Sequence, residues 1–548
     1  MSKRPELVIG FVGPAGVNLR LLCDKTAEYL RGFNYKPFEI RLSKLLERRP
    51  NWTPPTSNSE DKRIDHLQKM AHTFRGELKN GAALALATVV AIREQRKILS
   101  GSPDTPADEV AFLLNQLKHP DEVKLLRDIY GSSFVLIAAH ATKNTRVNNL
   151  INQITDSESR SKQDDDTAKA VEIIRIDEQE PAEFIGADEL GQNTRNTYPL
   201  ADMFIDLERD NMVYAVQRFI DLLFGHPFHS PRPDEVAMYH ANAAALRSSD
   251  ESRQVGAVIV DVKRDGRGET SNVEIIATGL NEVPMRGGGF YWDGASHSPD
   301  AREQPLIAYL NDDRALSIKK DVLGELLEVL RRNKWFTDPI TSRHTMDLVK
   351  ELIPDGLKGT QFLDIGEFQR QVHAEMASLI DSARRGVAVD GRTMFVTTFP
   401  CHNCAKHIIA AGIRHVVYLE PYPKSRAAYL HQEEIDTESK YEVQEKEINT
   451  ESKEGAPSED NHKEGVPPKV VFSPYTGIAP RQYQRLFSMS GRGKKVLLGL
   501  KDWDNQKGVI APVHLVHNAF ESYLMSEREA LTRLPTKAFR WDSKVVCP

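Results

Sequence analysis

The 548-residue chain is 40% hydrophobic, 27% charged and 7% aromatic, the make-up of a folded, water-soluble protein long enough for two or more domains. Its net charge of −6 and pI near 6.3 come without a long Lys/Arg run, which argues against an extended nucleic-acid footprint. Four cysteines are too few for a disulfide scaffold, and the opening MSKRPELVIGFVGPAG has only a short apolar run broken by Gly and Pro, so neither a secretory signal nor a membrane span is expected.

The expectation is a cytoplasmic protein whose thiols are reduced or bind metal.

In chain order, LVIGFVG (7–13), SFVLIAAHA (133–141) and ADMFIDLE (201–208) read as strands, and GELKNGAALALATVVAIREQRKIL (76–99) reads as a helix. Alternation of this kind predicts a parallel sheet wrapped by helices. The polar run TDSESRSKQDDDT (155–167) reads as a solvated loop. Three prolines in FGHPFHSPRPDE (224–235) place a domain boundary, giving domains 1–225 and 226–548. Strands of the second domain are expected at 256–260, 274–280, 393–399 and 415–420. Insertions are expected at about 290–365 and 432–468, the second acidic, flexible and bearing the near-repeat IDTESK/INTESK. The tail beyond 469–487 is expected to pack back on the second domain.

Two cysteines fall together in FPCHNCAKH (399–407), twenty-eight residues after His373 in QVHAEMASLIDSARRG (371–386). A lone C-x-x-C serves redox chemistry, a structural zinc knuckle or a catalytic metal equally well. Here it joins an upstream H-A-E, and H-x-E…P-C-x-x-C is the signature of zinc deaminases. His373, Cys401 and Cys404 are three donors suited to Zn2+, with a fourth position left for water. Glu375, two residues from His373, is off the face that paired ligands share and is cast as the proton shuttle. His402 and His407 fall outside the pattern.

RSSDESRQVGAVIV (247–260), GLNEVP (279–284) and then the zinc motif stand in the order seen in deoxycytidylate deaminases, and the second domain resembles that family. The resemblance implies a cytidine-deaminase-like α/β/α fold and a nucleotide contact at Asn281. Arg247 and Arg286 are candidate phosphate contacts by position and charge.

GFVGPAGVNL (10–19) follows a strand and opens a helix, the place of a phosphate-binding loop. Gly10, Gly13, Gly16, Val17 and Asn18 are its candidate nucleotide-binding residues, but Val17 and Asn18 stand where such loops carry Lys and Ser/Thr. With GQNTRNTYPLADMFIDLE (191–208) and the lid-like HATKNTR (140–146), the first half resembles the P-loop, kinase-like half of bacterial two-domain dCTP/dCMP deaminases that act against phage. That resemblance implies depletion of deoxycytidine nucleotides during infection, restrained by a regulatory nucleotide in the first domain, and a homo-oligomer. A polynucleotide or tRNA deaminase and a non-catalytic nucleotide sensor with structural zinc are the alternatives.

Overall fold

The computed structural model describes residues 4–488 apart from 160, 179–189, 209–210, 265–269, 294–299, 311–312, 337–339, 341–342, 358–359, 361, 364, 367, 423–424 and 438–466, together with 503, 507 and 520–535. Most of the expected acidic insertion at 432–468 therefore lies outside the described residues. Among the described residues no helix is long and apolar enough to cross a membrane.

The chain forms an α/β structure with two six-stranded, mainly parallel sheets. The first contains β1 (Leu7–Val12), β2 (Lys36–Arg41), β3 (Val110–Asn115), β4 (Phe134–His140) and β5 (Met203–Asp206), all paired in parallel in the order β5-β4-β1-β3-β2. The runs in β1, β3 and β4 are apolar almost throughout because helices cover both faces. Alternate β1 side chains feed two cores: Val8 and Val12 join the one that includes the helix Ala83–Ser100, while Leu7, Ile9 and Phe11 join the one that includes Leu19–Gly32 and Met212–Leu223. β1 lies between β3 and β4 where the strand order reverses, so the loop after it opens at the usual ligand crevice of such sheets.

Two first-domain readings change. The expected helix 76–99 is two helices, Glu60–Leu78 and Ala83–Ser100, because Lys79 turns left-handed (φ 48°) and ends the first. The run 155–167 is mostly helical: Lys143–Glu158 reaches into it and Asp164–Glu178 starts within it, their apolar faces packed together through Leu150, Ile154, Ala170 and Ile174.

The second sheet holds β6 (Gly256–Arg264), β7 (Thr270–Leu280), β8 (Thr393–Thr398), β9 (His415–Glu420), β10 (Ile435–Asp436) and β11 (Val470–Pro474), in the order β10-β11-β9-β8-β6-β7. β6 runs antiparallel to both β7 and β8, and the other pairs are parallel. One face carries the helix Pro233–Ala245, whose Ala237, Met238 and Ala241 join the core that also holds Val8 and Phe112 of the first sheet. The other face carries Ala374–Arg384 and His402–Ala410. Within 290–365, the helices Arg314–Arg332 and Thr345–Glu351 close a small core of Leu323, Leu327, Leu348, Val349 and Ile353.

The tail does not return to the second domain alone. β12 (Gly477–Ile478), just after β11, pairs antiparallel with β5 of the first sheet. Asp202, fully buried, accepts hydrogen bonds from Arg127 (2.9 Å), Arg481 (3.1 Å), Gln482 (2.8 Å) and the Leu136 amide (2.7 Å). The helix Phe520–Leu531 lies on the first domain, where Glu527 accepts Arg96 at 2.8 and 2.9 Å and Tyr130 at 2.9 Å. Arg96 also grips Glu6 at 2.9 Å through two nitrogens. A fully buried guanidinium needs carboxylates wherever the chain provides them, and that need draws the tail here. Glu527→Ala is expected to lower stability by about 1–3 kcal/mol, because Arg96 keeps Glu6 but loses its second carboxylate and the buried Tyr130 hydroxyl loses its acceptor. A shifted denaturant midpoint with unchanged metal content would show it, and an unmoved midpoint would refute it.

Candidate metal centre

Two helix N-termini meet beside the second sheet. His373 is the residue before Ala374–Arg384 (φ −67°, ψ 154°), and Cys401 is the residue before His402–Ala410 (φ −70°, ψ 164°). Extended backbone at these positions turns both side chains out of the helices and toward each other. Gly279 lets the first helix lie close on β7: a Cβ there would meet the Ala374 carbonyl at 2.1 Å and the Ser378 amide at 2.4 Å. Cys401 Sγ lies 3.3 Å, and Cys404 Sγ 3.4 Å, from His373 Nδ1.

The electrostatics favour a thiolate at Cys401, with Cys404 as the thiol that donates to it. Cys401 is lowered to about 4, first by the Cys404 thiol donating to it and then by His373, while Cys404 is pushed up by that hydrogen bond and by its burial. His373 is raised to about 9, chiefly by its hydrogen bond to Cys401. Helix N-termini add to the bias toward negative sulfur. Glu375, 4% exposed in the first turn after His373, is raised to about 7 by burial and then by Cys401, with His373 opposing. A buried carboxyl balanced near neutral pH is fit to take up and release a proton.

One imidazole and two thiols whose ligating atoms lie within 4.8 Å of one another fit a tetrahedral Zn2+ with one open position. A second group within the same spread, Asp221, His226 and His229, is accounted for by hydrogen bonding: His226 Nδ1 accepts the Phe228 amide at 3.2 Å, and His229 Nε2 pairs with Asp221 at 3.4 Å.

The other residues singled out by sequence lie elsewhere. Asn281 is buried, and its amide is engaged at both ends: Oδ1 accepts Val255 N–H (2.7 Å), and Nδ2 donates to Asp250 (3.1 Å) and the Arg253 carbonyl (2.8 Å). It thereby holds the 250–255 loop, whose Asp250 acts electrostatically on His373. The loop lies within RSSDESRQVGAVIV (247–260), a stretch that carries the resemblance, but its spacing announces no role for Asp250. Arg247 donates to the Phe290 and Tyr291 carbonyls (both 3.3 Å) and stacks on Trp292. It lines a cavity of about 330 Å³ that none of His373, Glu375, Cys401 or Cys404 lines. Arg286 is exposed in the turn after Pro284.

In the first domain, Gly10 lies inside β1, where a Cβ would meet Leu117 at 2.7 Å, and not in the loop. Gly13 offers its carbonyl to Gln116 (2.7 Å) and Lys118 (3.1 Å). Gly16 has φ 87°, with the Arg146 carbonyl 2.5 Å from a Cβ position, so side chains are excluded. Val17 packs against the core, and Asn18 caps the helix Leu19–Gly32 by accepting Leu21 N–H at 3.1 Å.

Residues 231–420 match the family model of the cytidine and deoxycytidylate deaminase zinc-binding region, a span that includes His373, Glu375, Cys401 and Cys404. The chain is 39% identical over 61 residues to deoxycytidylate deaminase of Enterobacteria phage T2, covering 11% of this chain and 32% of that protein. It is 45% identical over 53 residues to ComE operon protein 2 of Bacillus subtilis (strain 168), covering 10% and 28%. The chain thus spans about a third of the length of the curated relatives it matches. Among solved structures, dCMP deaminase from the cyanophage S-TIM5 aligns over 37% of this chain and 94% of its own at 18% identity, with a TM-score of 0.19.

Proposed function

We propose that the second domain deaminates a free deoxycytidine nucleotide, dCMP or dCTP, to the deoxyuridine form by hydrolysis. The observation that carries this is the juxtaposition of His373, Cys401 and Cys404 with buried Glu375, inside the segment that matches the deaminase zinc-binding region. His373, Cys401 and Cys404 would hold the zinc. Bound zinc supplies Lewis-acid activation of water at neutral pH. Glu375 takes a proton from the attacking water, gives it to the pyrimidine ring nitrogen, and passes the next to the departing amine, so that water and cytosine become uracil and ammonia. Asn281 serves this chemistry through the 250–255 loop, and Arg286, facing solvent, is assigned to the nucleotide phosphate.

A structural zinc knuckle needs no buried carboxyl beside its ligands, which favours catalysis over a sensor. Net charge of −6 without a basic stripe favours a free nucleotide over a polynucleotide. The purified, zinc-loaded chain should be given dCMP, dCTP, cytidine, single-stranded DNA and tRNA, and uracil products followed. Turnover of dCMP or dCTP supports the reading. Turnover of polymers alone, or none at all, would sink it.

We assign the first domain to regulation of that activity in the cytoplasm, with phage defence as the setting in which depleting deoxycytidine nucleotides is useful. A regulatory nucleotide must bind active and inactive states unequally, since equal binding shifts nothing.

A further inference from the structure

The loop after β1 lacks the lysine that phosphate-binding loops carry, yet a lysine reaches it from the segment that follows β3. Lys118, in the segment after β3, places Nζ 3.1 Å from the Gly13 carbonyl and 2.7 Å from Asp177 Oδ1. Asp177 Oδ2 accepts the Ala15 N–H at 2.7 Å, and Oδ1 also accepts Thr194 Oγ1 at 3.2 Å. A backbone amide of a glycine-containing loop, an ammonium and a hydroxyl thus converge on one anion. These are donors of the kind that hold a phosphoryl group at the head of a parallel strand. The anion here is the chain's own: Asp177 is 1% exposed and comes from the last turn of Asp164–Glu178, a helix end whose dipole disfavours negative charge.

We propose that Ala15 N–H, Lys118 and Thr194 form a phosphate site for a nucleoside triphosphate, closed by Asp177 acting as an internal competitor. Nucleotide enters when Asp177 withdraws, and Lys118 then transfers its ion pair from carboxylate to phosphate. The proposal rests on the regulatory reading of the first domain and names its anion site and its gate. Ala15 packs against the pair of helices that includes Asp164–Glu178, so withdrawal of Asp177 is felt where that pair meets the loop.

The test uses the full chain and dATP, a purine with no cytosine amine to remove, measured by direct titration calorimetry. Binding is therefore read independently of whether the second domain deaminates anything. Asp177→Asn keeps the shape and an acceptor but removes the charge, and should bind dATP about tenfold or more tightly than the wild type, the scale of removing one like charge beside a bound anion. Lys118→Gln added to Asp177→Asn should abolish that gain. Equal affinity of the wild type and Asp177→Asn, or a gain that survives Lys118→Gln, would overturn the proposal. If Asp177→Asn does not fold, Lys118→Gln alone decides: loss of the weak wild-type binding supports the site, and unchanged binding refutes it.

Discussion

Glu375→Gln is expected to keep one zinc per chain and the native fold while lowering deamination by about a hundredfold to ten-thousandfold, the range that positioned proton transfer contributes. The substitution preserves volume at a position only 4% exposed, so packing against the sheet should be unchanged. What it removes is a carboxyl that burial raises to about 7 and so keeps ready to move protons in both directions near neutral pH. An amide can neither accept the proton from water nor deliver one to the leaving amine. The measurements are metal content by elemental analysis and turnover on the preferred deoxycytidine nucleotide. Metal lost together with activity would mean that Glu375 supports the donors instead of moving protons.

Cys404→Ala should lose the metal outright. Cys404 is fully buried in the first turn of His402–Ala410, 3.4 Å from His373 Nδ1, and its removal leaves only one imidazole and one partly exposed thiol. Two protein donors rarely retain zinc against competing water, so content should fall from about one equivalent to near zero after dialysis. The volume removed is one sulfur, so most of the second domain's core should remain and the variant should stay soluble. Zinc at one equivalent in Cys404→Ala would refute the ligand assignment, and circular dichroism at matched concentration separates metal loss from unfolding.

The candidate metal centre was largely legible because its parts are local. H-A-E and P-C-x-x-C each occupy a few consecutive residues at a helix start, where φ/ψ of the preceding residue aims the side chain. Burial around Glu375 was not legible, because it depends on how Ala374–Arg384 lies over β7. β2 and β3 escaped notice for related reasons. β2, KPFEIR, is a half-exposed edge strand with mixed character, and β3, VAFLLN, is a six-residue apolar run that a buried helix segment could equally contain.

By itself, the sequence determined the α/β class, the candidate donors His373, Cys401 and Cys404, the separate place of Glu375, and the missing lysine at Val17. Each follows from residue type and short-range spacing, which covalent geometry carries directly into helices and strands. Only the tertiary structure decided that Lys118 reaches the loop whose own lysine is absent, that Asp177 accepts the Ala15 amide across 162 residues, and that Glu527 meets Arg96 across 431. Buried charge must find opposite charge at any separation along the chain, and packing alone decides which partner comes within reach.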